Sequence, residues 1–134
     1  MASILKVDDL RGNTSAGDIT ITSEGGSATM QLQQGVIKSW VDLNGSTFGV
    51  NDSHNVSSAT DNGAGNYHQN LTNNLSATQA GTAGSASSNV NYSDREVSVI
   101  PETTSHLQIN CGQDYTVNRA DATNCSTLMA GDLA

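Results

Sequence analysis

A chain of 134 residues has room for one domain with a modest core, and its 13 acidic against 5 basic side chains give it a net charge of −8. Lys6, Arg11, Lys38, Arg95 and Arg119 are scattered, which argues against the phosphate neutralisation that drives nucleic-acid binding and against attraction to anionic lipid. Five aromatics and 58 Asn, Ser, Thr or Gly residues in 134 favour turns and polar-faced strands over helices, and burial against copies of itself is the expected remedy for so thin a core.

In chain order, Ser3 to Asp8 reads as a strand with Leu5 and Val7 on one face and Ile4 beside them, and Asp18 to Thr22 as a second strand carrying Ile19 and Ile21. Gly12, Asn13 and Gly17 break the pattern between them. Strands this short need a partner surface, so Ile4, Leu5, Val7, Ile19 and Ile21 are the expected attachment residues. The segment SATMQLQQGVIKSW, residues 27–40, predicts a helix over 28–40: Leu32, Val36, Trp40 and Leu43 recur at helical spacing with Met30 and Ile37 alongside, and Ser27 is placed to cap it. Gln33 and Gln34 interrupt the apolar stripe and Gly35 weakens the helix. One account is that glutamines from several copies hydrogen-bond around a symmetry axis. Met30, Leu32, Gln33, Gln34, Val36, Ile37, Trp40 and Leu43 are then the expected oligomer interface, and an ordinary surface helix is the alternative.

From Asn44 the pattern turns to β. Strands are expected at 46–50, 54–60, 66–72, 95–100, 106–111, 114–118 and 126–130, with Asp61-Asn62-Gly63 as a hairpin turn, a spacing that suits an antiparallel sandwich. Ala77 to Ser88 is small, polar and low in complexity and reads as an exposed loop or a register-loose edge. The expected organisation is an N-terminal assembly segment, 1–43, and a displayed β-sandwich, 44–134. The fold class expected is mainly β, an antiparallel β-sandwich preceded by short strands and one short helix, intertwined as a homotrimer.

Chemistry is sparse. Asp52, Ser53 and His54 are adjacent, but a catalytic triad is assembled in space, and neighbours in a strand point to opposite faces. His54, His68 and His106 lack the spacing of a helical zinc site, and are read as satisfied turn and strand groups, with no metal and no cofactor expected. Asp94 and Glu96 flanking Arg95 read as a charged turn rather than the carboxylate pair of a glycosidase. Cys111 and Cys125 read as two reduced, semi-buried thiols, with a late disulfide as the alternative. No apolar run reaches the length of a membrane span and Met1–Leu10 has no signal-peptide core, so synthesis in a cytoplasm is expected and membrane insertion is not. Eight Asn-x-Ser/Thr triplets, at Asn13, Asn44, Asn51, Asn55, Asn70, Asn74, Asn91 and Asn124, place polar pairs on one strand face each.

The opening MASILKVDDLRGNTSAGDITIT, then LQQGVIKSWVDLNG, then NDSHNVSSATDNGAGNYHQNLTNNLS, in that order, resemble the tail fibre-like virion proteins of marine tailed bacteriophages. The resemblance covers about residues 1–75, and after Tyr67 the chain departs from it, with Asn70-Leu71 where an aromatic in an alternating strand is usual. It implies a non-enzymatic structural component of a virion, a fibre-like tail-associated protein that docks by its N-terminal segment, made in the host cytoplasm. Its expected partners are copies of itself and other tail or capsid proteins. The alternatives are a capsid decoration protein and a receptor-binding module for host-surface glycan, for which Tyr67, Tyr92 and Tyr115 are the weak candidates.

Overall fold

The computed structural model describes residues 4–13, 19–22, 25–26, 28–88, 95–113 and 118–134, and the chain divides into two compact units, Met1–Val36 and Ile37–Ala134. The division precedes the boundary expected from sequence, because the residues just before Asn44 are a strand of the second unit.

In the first unit, β1 (Thr20–Thr22) and β2 (Thr29–Gln31) form an antiparallel pair that sets Ile21 opposite Met30. A single helical turn, α1 (Leu32–Gly35), follows, and the Leu32 N–H donates to the Ile19 carbonyl at 2.7 Å. The strand expected from Ser3 is not formed: Ile4–Asp8 carry no strand and stand exposed. The expected cap, Ser27, lies outside the described residues. The helix expected over 28–40 is confined to α1, whose N-cap Gln31 makes no side-chain capping bond. The same residues also fit a period of two, since Ser39, Val41 and Leu43 alternate with Trp40, Asp42 and Asn44. That period prevails because two neighbouring strands offer full ladders to it, whereas a short helix containing Gly35 and the β-branched Val36 and Ile37 gains little from propensity.

The second unit is an eight-stranded antiparallel sheet built from β3 (Ile37–Asn44), β4 (Gly49–His54), β5 (Val56–Asp61), β6 (Asn66–Leu71), β7 (Leu75–Ser87), β8 (Arg95–Pro101), β9 (His106–Gln113) and β10 (Asn124–Leu133). Its strand order is β4-β3-β10-β7-β8-β9-β6-β5. Among the described residues β7 and β8 share one ladder pairing, Ala86 with Arg95, and the sheet folds there into two facing halves. At the opposite edge β4 runs into β5 through Asn55 alone, at φ 55°, a left-handed position that asparagine tolerates better than most residues. Its side chain ties that corner down by accepting from the Asn73 N–H at 2.8 Å and donating to the Asn73 carbonyl at 3.2 Å. The result is a sandwich close to a closed barrel.

The core has two apolar clusters, one of Val41, Leu43, Tyr67, Ala86, Ile109, Cys111, Ala122 and Cys125, the other of Leu71, Leu75, Leu107 and Met129. Between the halves, fully buried Gln69 of β6 donates to Ser39 Oγ of β3 at 2.6 Å and accepts from Thr127 Oγ1 of β10 at 2.6 Å. Ser39 passes the chain on to the His54 carbonyl at 3.1 Å.

The small-residue segment expected to be an exposed loop or a register-loose edge is most of β7, largely exposed but paired in register with β10 from Ser87 to Ala80. Its glycine is a spacer: a Cβ on Gly84 would sit 2.8 Å from methyls of both Val97 and Val99, so absence of a side chain lets the halves approach. Strands β6, β8 and β9 fall within a residue or two of expectation, and the expected strand at 114–118 lies almost wholly outside the described residues. These residues are buried against one another within the single chain, so the core does not require intertwined copies to cover it.

Candidate functional site

The expected attachment and interface residues separate on folding. Ile4 is 79% exposed and Leu5 76%, with Val7, Ile21, Met30 and Val36 exposed to about half. Ile19 and Leu32 are half-buried, as is Gln33, and the Gln34 side chain lies outside what is described. Among the described residues, seven of the eleven exposed large apolar side chains belong to the first unit: Ile4, Leu5, Val7, Leu10, Ile21, Met30 and Val36. Of the rest of the expected interface, Ile37 is exposed to about half, and Leu43 and Trp40 take opposite faces of β3. Leu43 is fully buried in the sandwich core, because its place on β3 points inward. Trp40 points outward on β3, half-exposed between its cross-strand neighbours His54 and Leu128. There is therefore no continuous stripe from Met30 to Leu43.

Tyr67 cannot serve a glycan: it is fully buried, stacked on Phe48 with centroids 6.1 Å apart, and its hydroxyl donates to Asp121 Oδ1 at 2.8 Å. The same carboxylate oxygen accepts the Gly65 N–H at 2.8 Å. Burial, with the Asp121 hydrogen bond second, pushes the Tyr67 hydroxyl well above the ordinary tyrosine value. Tyr92, Tyr115 and Asp94 lie outside the described residues. Glu96 lines a cavity of about 280 Å³ with Ser98, Asn110 and Arg119.

Cys111 and Cys125 are not semi-buried but fully buried, with their sulfurs 3.4 Å apart. The hydrogen bond with Cys111, reinforced by burial, pushes the Cys125 thiol strongly up, so Cys125 holds its proton. Asp52 and His54 share the outer face of β4 opposite Asp42 and Trp40, while Ser53 lies opposite Val41 on the other face.

Sequence reasoning set His68 and His106 aside, and the fold joins them. The rings stack with centroids 4.4 Å apart and planes 25° apart, and Glu102 Oε2 lies 3.2 Å from each Nε2. Their separation along the chain gave no signal, because strand register and not sequence spacing makes them neighbours.

Comparison with known protein families, with characterised proteins and with solved structures finds no match for this chain.

Proposed function

We propose that this chain is a non-enzymatic structural component of a tailed-phage virion, a fibre-like tail-associated protein that docks through its first unit and displays its sandwich. The observation that carries the reading is the distribution of apolar surface. The sandwich fills its own core, while the first 36 residues hold most of the exposed large apolar side chains. Apolar side chains left in water at that density favour association, so the first unit is the contact surface for other virion proteins or for copies of this chain. The sandwich presents Asn, Ser and Thr on its outer strands, a solvated face with excess negative charge that keeps a repeated protein soluble.

Quantitative mass spectrometry of purified particles tests this. The chain should be present at a fixed ratio to the major capsid protein, low for a tail component and in the hundreds of copies for the alternative, a capsid decoration protein. Its absence from particles while abundant in infected cells would overturn the reading.

A second reading, recognition of host-surface glycan, draws on Trp40. An accessible aromatic with polar groups beside it can serve as a platform for a sugar, and half-exposed Trp40, flanked by Leu128 and His54, also neighbours Asp42, whose carboxylate accepts from Asn51 and Ser126 at 3.3 and 3.2 Å. Glycan-array binding lost in Trp40→Ala would establish it.

A further inference from the structure

Three ligand-bearing side chains meet on the outer face of the half-sheet formed by β8, β9, β6 and β5. Strands β6 and β9 pair antiparallel with His68 opposite Gln108 and Asn70 opposite His106. His68 and His106 are thus diagonal neighbours on one face, a distance that long side chains bridge. Glu102 reaches them from the β8–β9 connection. The ligand atoms of all three lie within 4.8 Å of one another.

The geometry points to a cation. A zinc tetrahedron with bonds of about 2.0–2.1 Å has edges of roughly 3.3–3.4 Å, and both Nε2 atoms stand 3.2 Å from the same carboxylate oxygen. The turn carrying two of the ligands is braced. Thr103 Oγ1 accepts the N–H groups of Ser105 and His106 at 3.2 Å each and lies 2.9 Å from His106 Nδ1. That is the outer contact which orients a ligating imidazole. With side chains 25%, 46% and 21% exposed for His68, Glu102 and His106, the group is open enough for an ion to enter and set deep enough for the rings to be held.

We propose that His68, Glu102 and His106 bind a divalent transition cation, with zinc as the fitting ion. Two imidazoles and one carboxylate select a borderline-soft metal, whereas calcium and magnesium require oxygen ligands. Three protein ligands leave one tetrahedral position to water. The ion clips the Glu102–His106 turn onto β6, and because it binds only the folded arrangement it stabilises the sandwich in proportion to the logarithm of free zinc.

The test is titration of the full, metal-stripped chain with Zn²⁺ alone by calorimetry, with Co²⁺ as a spectroscopic reporter. The expected result is one ion per chain, visible-region cobalt bands of a tetrahedral site, and a melting temperature that rises with zinc. His68→Ala and His106→Ala should each weaken binding by more than tenfold and abolish the rise, and Thr103→Val should weaken it by about tenfold. His54→Ala, on the other half of the sandwich, should change nothing. Melting of each variant without metal shows that it is folded. If either histidine variant is not, Glu102→Gln and Thr103→Val carry the comparison. No zinc uptake by the wild-type chain, or uptake undiminished in these variants, overturns the proposal.

Discussion

Replacing Gln69 tests whether the polar bridge between the two halves holds them in register. In Gln69→Leu the side-chain volume is nearly kept, Ser39 Oγ retains the His54 carbonyl as acceptor, and Thr127 Oγ1 loses its 2.6 Å partner inside the core. An orphaned buried hydroxyl costs about 1–3 kcal/mol. Thr127→Val makes the complementary error, leaving Gln69 Oε1 without a donor at similar cost. The triple change Ser39→Ala, Gln69→Leu, Thr127→Val removes all three side chains of the bridge, leaving of its members only the His54 carbonyl on β4, and replacing both partners of a hydrogen bond with apolar groups is close to neutral. Urea unfolding should therefore show each single variant less stable by about 1–3 kcal/mol, equivalent to a fall in Tm of roughly 4–8 °C per kcal/mol for a domain of this size. The triple variant should lie near wild type, far from the sum of its parts. Additive losses that leave the triple variant the least stable, or a Gln69→Leu protein as stable as wild type, would refute the assignment of the bridge.

Gly84→Ala should destabilise the sandwich by about 1–2 kcal/mol, because the strain against the stiff Val97 and Val99 exceeds the entropy gained by removing glycine, and Val97→Ala in the same chain should recover part of that loss in thermal melts. Tyr67→Phe should cost about 1–2 kcal/mol near neutral pH. The hydroxyl's value is raised in the folded state, so its contribution is fully present below the unfolded value near 10 and falls as pH rises past it. Melting from pH 9 to 12 should show the wild-type advantage over Tyr67→Phe shrinking with pH. Cys111 and Cys125 should resist alkylation in the native protein and react in urea, as mass spectrometry will read, and an oxidant should join them with little movement, raising stability by about 3 kcal/mol for a loop of roughly this length.

Strands with clean alternation and clear boundaries were legible in sequence, as β6, β8 and β9 show, because period two and the flanking Asp-Asn-Gly and Pro signals act locally. The segment from Met30 to Leu43 was not, since its apolar residues fit both periods and the choice was made by pairing with β4 and with β10, the latter far along the chain. β7 was missed as a paired strand for a related reason: its small residues carry no hydrophobic signal, most of them stay exposed as expected, and what makes them a strand is the long ladder with β10. Of the candidate site, the exposed apolar residues near the N-terminus were readable as apolar and unpartnered. The His68–Glu102–His106 group was invisible because only the β6–β9 register brings it together.

The most direct test of the central claim is incorporation of a chain lacking the first unit. Residues 37–134 contain the whole sandwich core, so this fragment should melt cooperatively and keep its β-sheet circular dichroism. Supplied in host cells infected with phage lacking the gene, it should be missing from purified particles, whereas the full chain is restored to them. A full-length variant with Ile4, Leu5 and Val7 changed to Ser should fold and incorporate poorly. Incorporation of the folded 37–134 fragment at the copy number of the full chain would contradict the account.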